Sequence, residues 1–492
     1  MKFLKILFFT ILCSSIQAQE AKNQRIEIVS SGSVTVNNKD SATVTILTKN
    51  VTLKNSDGLF KCDSARWWRD YDYFKAFGNV RFIGNNQMQI ISDILDYNKG
   101  LADLRGNVKL TQGNQTLNTS KLIYDTKNEI GYFKNGGIVI SNDGNLESTE
   151  GKYEAKKELF LFNKNVKAIT EGYNIECSSL LHYPESSIYI IPVSGKASRE
   201  NELLEFGAAY IDNNSDISIF HKGAHGRDST MEFFADSLFK KDDNELSELY
   251  GTNSKPAKWS DFSNDTMEIY SSKIIHTPKL TTAGNGVYTF QNEIITYSNN
   301  LIWNSNDSIM EMWGGSTTWT EGYQVISDSV KYYFRGKDLK DSIFGIGHIN
   351  LSSEPDNNGL VDEMSGVFFY GFLNDNNLET LILSGNADAL IHPEDKSATS
   401  IQSAKIQLNF EEGSLGSIKF IKGPEGVVQQ DNTDQEHLPN YENRWESQDP
   451  RIDFNVSDLW RDNEPSNDKR CHWVESEEFY CRQDWFWAGL FC

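Results

Sequence analysis

The stretch Ser92-Asp93-Ile94-Leu95-Asp96-Tyr97-Asn98, followed by Gly106-Asn107-Val108, decides the fold. Leu95 and Tyr97 are two residues apart, so in a strand they point to the same face. The first element returns as Thr119-Ser120-Lys121-Leu122-Ile123-Tyr124, as Ser178-Ser179-Leu180-Leu181-His182-Tyr183, and late in the chain as Ser327-Asp328-Ser329-Val330-Lys331-Tyr332. Weaker copies are Ala235-Asp236-Ser237-Leu238, Ser271-Ser272-Lys273-Ile274 and Ser403-Ala404-Lys405-Ile406. A second element, Gly/Asn-Val, stands at Asn50-Val51, Gly78-Asn79-Val80, Gly106-Asn107-Val108, Gly136-Gly137-Ile138 and Asn165-Val166. Its spacing is about 28–30 residues, the kind of period that marks repeat architecture. The pairs Leu95/Tyr97, Leu122/Tyr124, Leu181/Tyr183 and Val330/Tyr332 are expected to stack as columns up a sheet.

Each repeat then supplies two strands joined by turns, for which Asn85-Asn86, Asn98-Lys99-Gly100 and Asn142-Asp143-Gly144 have suitable chemistry. The fold class is all-β: an elongated repeat of antiparallel strands bent into a V-shaped β-jelly roll. A right-handed β-helix fits less well, since its rungs are shorter and carry runs of small or apolar inward residues. Helical periodicity is nearly absent; Asp242 to Tyr250, in an irregular excursion reaching about Asp265, is the best helix candidate. Repeats are regular over residues 27–200 and divergent over 203–428, where polar insertions such as Ser352 to Asp362 interrupt them. Residues 429–492 form an irregular polar segment, with Pro439, Pro450 and Pro465, that ends in an aromatic tail.

The start of the chain reads as an export signal. A basic opening (Lys2, Lys5) precedes the apolar run Ile6 to Cys13 and a small-residue exit at Ser14, Ser15 and Ala18. Residues 1–18 are expected to be cleaved, and Leu12 before Cys13 argues against a lipoprotein site. No later stretch is apolar over the ~18 residues a spanning helix needs. The net charge of −22 and pI near 4.8 argue against nucleic acid as a partner and against adhesion to an anionic bilayer through a basic patch. Only 38% of the residues are hydrophobic, while aromatics reach 12% and there are 10 prolines, which suits half-buried strands better than helices around a thick core. Cys62 and Cys177 lie in similar strand contexts about four repeats apart, at least ~19 Å, beyond disulfide reach, and read as buried thiols. Cys471, Cys481 and Cys492 cluster in the tail and could form one disulfide.

The sequence carries few residues arranged for catalysis or metal binding. His221 and His225, with Asp228 and Glu232 following, have a metal-like spacing only on a helix, and Gly223 and Gly226 argue for a loop. Asp212-Asn213-Asn214-Ser215-Asp216 starts like a calcium loop but has Ile217 and Gly223 where glycine and an acid are needed, so it reads as a turn. There is no nucleophile elbow, no phosphate-cradling glycine loop and no zinc spacing of cysteines. The chain is expected to be no enzyme and to need no cofactor or metal. A second reading is a secreted carbohydrate-binding or carbohydrate-active β-solenoid, with Trp303, Trp313 and Trp319 stacking on sugar; a third is an envelope scaffold without ligand.

The unit from Ser92 through Gly106-Asn107-Val108, and its neighbour from Thr119 to Gly137-Ile138, resembles the OstA-like repeat of LptA-type periplasmic lipopolysaccharide-transport proteins. The likeness is good over about residues 51–168 and recognisable around 323–351 and 381–428. It implies a β-jelly-roll groove, open at both ends, that stacks edge to edge with similar proteins. The implied site is the periplasm of a Gram-negative bacterium, in association with the outer membrane, and the implied cargo is lipopolysaccharide or a related glycolipid. A lipid chain gains about 0.8 kcal/mol per buried CH₂, so crossing water needs a continuous apolar surface. The candidate lining positions are Val80, Phe82, Leu95, Tyr97, Val108, Leu110, Leu122, Tyr124, Ile138, Ile140 and Val166. Plain core filling is the competing reading of that alternation.

Overall fold

The structure, a computed structural model, describes residues 26–429 except 40–41, 72, 85–87, 143, 171–172, 253, 264–265, 292–293, 321, 336–339, 355–359, 375–376, 393–397 and 412–413. The expected leader, the tail cysteines and the turn at Asn85-Asn86 therefore lie outside the described residues, as does Asp143 of the third turn. The chain is all-β and antiparallel, as the alternation predicts, with short 3₁₀ turns at Arg69–Tyr71, Ala155–Lys157 and Asp242–Asn244. It divides into two compact units. One reaches to Glu171 and includes Leu181–Glu185; the other holds Gly172–Leu180 and the described residues from Ser186 on.

In the first unit the strands Ala42–Lys54, Gly58–Trp68, Tyr73–Gly84, Gln89–Asn98, Leu101–Gln112 and Gln115–Asp125 follow one another as a meander, each paired antiparallel with the next. Every one of these ladders slips near its middle, between Thr48 and Val51, Lys61 and Ser64, Phe77 and Val80, Ile91 and Ile94, and Arg105 and Val108. Two residues on one strand oppose one on its neighbour there, which bends the strand. The recurring Gly-Asn pairs are these extra residues. Gly78 and Asn79 (φ 72° and 45°) and Gly106 and Asn107 (φ 75° and 44°) are both left-handed, a conformation glycine and asparagine tolerate best.

The partner side of the crease explains the other motif. Ser92 Oγ donates to Ile94 O at 3.1 Å, Thr119 Oγ1 to Gly136 O at 2.6 Å and Ser148 Oγ to Glu150 O at 2.8 Å. A hydroxyl on the inner side thus satisfies a carbonyl that the interrupted ladder leaves over. Val51 stands opposite Cys62, Val80 opposite Ser92, Val108 opposite Thr119, and Gly137 opposite both Thr119 and Ser148. The inner row along the crease therefore alternates a small apolar residue with a hydroxyl or thiol.

Bending gives each strand two arms, and the arms close on each other. Phe60 and Phe82, before and after their creases on neighbouring strands, stack at 4.7 Å. Across the interior Phe60 meets Phe74 at 5.2 Å and Tyr97 at 5.2 Å, and Phe82 meets Tyr124 at 6.1 Å. The turn rims meet as well: Asn55 lies in a turn at one rim, and its Nδ2 donates to the hydroxyl of Tyr97, beside the turn Lys99–Gly100 at the other.

The second unit repeats the device. Left-handed pairs crease its strands at Lys222-Gly223, Asn285-Gly286, Gly314-Gly315, Gly347-His348 and Gly385-Asn386, each beside a ladder slip. One expectation fails here. Asp242 to Tyr250 is not a helix: Asp242–Asn244 is a single 3₁₀ turn, and Leu246–Tyr250 is a strand paired with Ser237–Lys241 and Met267–His276. Leu249 faces a partner strand on either side, and that pairing overrides a weak local helix preference. The excursion also holds a strand, Ala257–Asp261, with Trp259 buried.

Candidate functional site

The interior of the first unit is built by alternation. On one wall it is lined by Leu53, Phe60, Phe82, Ile90, Leu110 and Leu117, and on the facing wall by Leu47, Phe74, Leu95, Leu104, Leu122 and Tyr124, all at most 2% exposed. Fully burying such an apolar side chain stabilises the fold by about 1.5–3 kcal/mol. Nine of the predicted lining residues (Val80, Phe82, Leu95, Tyr97, Val108, Leu110, Leu122, Tyr124 and Val166) point into this interior and are 0–2% exposed. The rings that touch across it make it a filled apolar core, with side chains from both walls in contact.

Ile138 and Ile140 do not join them. They are 42% and 47% exposed, while Val139 between them is fully buried. Val139 pairs with Leu117, as Leu110 does, so it takes the inward place. Gly137 occupies the place that Val80 and Val108 hold elsewhere, and a one-residue offset sends every side chain of the strand to the other face. The room goes to Phe133, whose ring lies 2.6 Å from where a Cβ on Gly137 would stand and 2.3 Å from one on Gly151. The third hydroxyl element is offset in the same way: Leu180 and His182 are fully buried, whereas Leu181 and Tyr183, the expected column members, are half-buried. Cys177 takes the crease position there, its thiol directed at Ser179 O at 3.4 Å. Cys62 and Cys177 are both free thiols, Cys62 buried as expected but Cys177 only half-buried; burial pushes their pKa values up to about 11 and about 12.

The rim of this interior is tied by polar side chains that no repeat in the sequence marks. Asn55 Oδ1 accepts from the backbone N–H of Asp57 at 3.0 Å and of Gly58 at 3.1 Å, which fixes the turn, and its Nδ2 donates to Tyr97 Oη at 2.8 Å. Tyr97 Oη donates to Asp57 Oδ2 at 3.2 Å, and Thr126 Oγ1 donates to the same oxygen at 2.6 Å. Farther along, Tyr153 Oη donates to Gln112 Oε1 at 2.5 Å. These side chains come from turns or strand ends on opposite rims, and a buried tyrosine hydroxyl needs such partners.

The second unit has a different interior. Along the creased strands Leu280–Gln291 to Tyr323–Tyr333, the buried residues Thr289, Thr296, Ser298, Ser316, Thr318 and Ser327 line one arm. Tyr332 Oη, from the facing arm, lies 2.6 Å from Thr296 Oγ1 and 3.4 Å from Thr318 Oγ1. Aromatic residues gather instead on the opposite face of that arm, where Tyr270, Phe290, Ile295 and Trp319 form a buried cluster with Tyr288 and Tyr297 against it. Hydroxyls in this interior make it a poor seat for hydrocarbon.

The remaining candidates separate. His221 and His225 lie on the strand Ile217–Arg227, not in a loop. His225 is held by Glu232 at 2.9 Å and Glu205 at 3.5 Å, and Asp228 caps its own turn by accepting from the N–H groups of Thr230 and Met231. Asp212 Oδ1 accepts from the N–H groups of Asn214 and Ser215, which makes the calcium-like stretch a turn. Of the three tryptophans, Trp303 is buried against Phe334, Trp319 is buried and donates to Gln324, and Trp313 is exposed, so they do not share one cleft. No helix among the described residues is long and apolar enough to cross a membrane.

A creased antiparallel meander around a dry apolar interior defines a class: β-roll proteins with an internal apolar lining. The comparisons make this specific for the first block. Residues 23–178 match the model of the family described as OstA-like protein, so this stretch is similar to that family. The family is tied in general to lipid and lipopolysaccharide transport and is generally periplasmic in Gram-negative bacteria. No curated protein matches the chain. Among solved structures, the WD40 domain of SCAP from fission yeast aligns at 8% identity over 83% of this chain and 91% of that one, with a TM-score of 0.14 that carries no argument.

Proposed function

We propose that the chain is an exported, non-enzymatic carrier that shields the acyl chains of lipopolysaccharide or a related glycolipid inside its OstA-like unit and passes them toward the outer membrane. The observation that carries this reading is the continuous inward row of apolar side chains from Leu53 to Val166, in the stretch that matches the family. In this reading residues 1–18 direct export to the periplasm, and the second block, with its hydroxyl-lined interior, extends the carrier without adding to its hydrocarbon seat.

Terminal strands supply the means of assembly. Among the described residues, the first strands, Glu27–Ser30 and Ser33–Lys39, pair only with Ala42–Lys54, and the last, Ser414–Ile421 and Glu425–Gln429, only with Ala398–Glu411. Val34 and Val36 stand 54% and 58% exposed on one such edge, and Val427 and Val428 are each 63% exposed on the other. Open edges template a further strand, which fits stacking with similar β-jelly-roll proteins.

Photocrosslinking tests the reading. With benzoylphenylalanine at Phe82, envelope-purified protein should yield a glycolipid adduct; at Ile138, on the outward face, it should yield none. Equal labelling at both positions, or none at Phe82, would overturn it.

A further inference from the structure

The filled interior raises the question of how an acyl chain is admitted. Rings from both walls meet across it, at 5.2 Å for Phe60 and Phe74, 5.2 Å for Phe60 and Tyr97 and 6.1 Å for Phe82 and Tyr124. A chain threading in from an end would have to displace these rings one after another. Parting the walls at the rim displaces them together, and the strands joined there are not ladder neighbours. The sheet therefore stays intact when the rim opens.

What holds the rim is local and polar. Asp57 accepts from Tyr97 Oη at 3.2 Å and from Thr126 Oγ1 at 2.6 Å, and Asn55 donates to Tyr97 Oη at 2.8 Å. Three residue pairs separated by 40, 69 and 42 positions are thereby tied at one spot. Asn55 and Thr126 are each 7% exposed and Tyr97 is fully buried, so this knot sits at the boundary between the dry interior and water. These bonds are buried or half-buried while the rim is closed but lie next to water, so their partners can exchange them for bonds to water when the rim opens, unlike bonds deep in the core.

Resting on the acyl-carrier reading above, we propose that the turn Asn55–Asp57 is a lateral gate, latched by Tyr97 and Thr126, through which acyl chains pass sideways into the OstA-like unit. Asp57 is the hinge of recognition between the two rims, and Tyr97 is at once latch and lining: its hydroxyl closes the rim while its ring faces the interior.

The test uses the exported chain with Cys471, Cys481 and Cys492 replaced by Ser, carrying Asp57→Cys and Thr126→Cys, with dansyl-undecanoate as the probe. Bridging the two thiols with dibromobimane should slow probe uptake at least about tenfold relative to the unbridged protein. Tyr97→Phe, which keeps the ring and removes the hydroxyl with both of its latch hydrogen bonds, should speed uptake at least about twofold. Uptake equally fast in bridged and unbridged protein, or unchanged in Tyr97→Phe, overturns the gate while leaving the carrier reading standing. If the unbridged protein and the wild type take up no probe, the carrier reading falls and the gate with it.

Discussion

Asn107 holds Asp93 across the crease of the sheet: its Nδ2 donates to Asp93 Oδ2 at 2.9 Å while its own backbone is left-handed, at φ 44°. One repeat earlier Asn79 holds Asp63 in the same way, also at 2.9 Å. The preceding glycine is required on two counts. At Gly106 φ is 75°, and an added Cβ would stand 2.4 Å from Asp93 Oδ2. The recurring Gly-Asn and Ser-Asp elements are therefore two sides of one bend, and the bend turns a flat meander into a roll.

Gly106→Ala should accordingly destabilise the protein by about 1–3 kcal/mol, from a strained left-handed alanine and a displaced aspartate. Urea unfolding followed by tryptophan fluorescence checks this. A change smaller than the error of the midpoint would mean that the crease is slack.

The exposed pair Ile138 and Ile140 makes a directional prediction. Val139→Asp places a charge at a fully buried inward position and should cost about 3 kcal/mol or more, or prevent folding. Ile138→Asp, one residue away on the outward face, should cost less than about 1 kcal/mol. Thermal melts of the two variants decide it; the reverse order would put Ile138 inside.

Much of this was legible in advance, and the failures have a common cause. Val80, Phe82, Leu95, Tyr97, Leu122 and Tyr124 could be placed inward because a period of two runs unbroken on both sides of a well-marked crease. At Gly136-Gly137-Ile138 the crease can be aligned two ways, and only the three-dimensional pairing of Val139 with Leu117 chooses between them. Cys177-Ser178-Ser179 offers three side chains able to serve at the crease, and the cysteine does so. The rim contacts among Asn55, Asp57, Tyr97 and Thr126 left no signal, since they join single turns across separations of 40 to 69 residues and do not repeat. The hydroxyl-lined interior of the second unit was hidden because Thr289, Thr296 and Thr318 alternate with apolar residues that face the other way.

The crease thiols should be inert in the folded protein. With pKa values pushed by burial to about 11 for Cys62 and about 12 for Cys177, on the order of one thiol in a thousand or fewer is ionised at pH 8. Iodoacetamide should therefore modify neither until urea is added, and peptide mass spectrometry reads the result. Cys62→Ser should fold with a stability within about 1 kcal/mol of the wild type, because serine fills the same position at Ser92 and Ser148. Rapid alkylation of the native protein would show that the crease opens.

Acid should weaken the first unit partly through Glu154. Burial disfavours its charge, but Lys152 Nζ at 2.6 Å and Lys157 Nζ at 2.9 Å more than offset this and hold its pKa below the usual carboxylate value. A depressed folded pKa contributes stability that is present above the ordinary value and is lost as pH falls through the lower one. Lys152→Ala should flatten the fall in unfolding free energy between about pH 5 and pH 3. Lys157 is the more exposed partner, and Lys157→Ala should flatten it less. Parallel pH profiles for both variants and the wild type would contradict this.

The most direct test of the carrier account is mass spectrometry of organic extracts from the full chain, purified gently from its native envelope. The account predicts lipopolysaccharide or another acylated glycolipid at about one molecule per chain, reduced when Tyr124→Trp enlarges a side chain inside the filled interior. A folded protein that carries no lipid would contradict it, and would leave the apolar interior of the first unit as structural core alone.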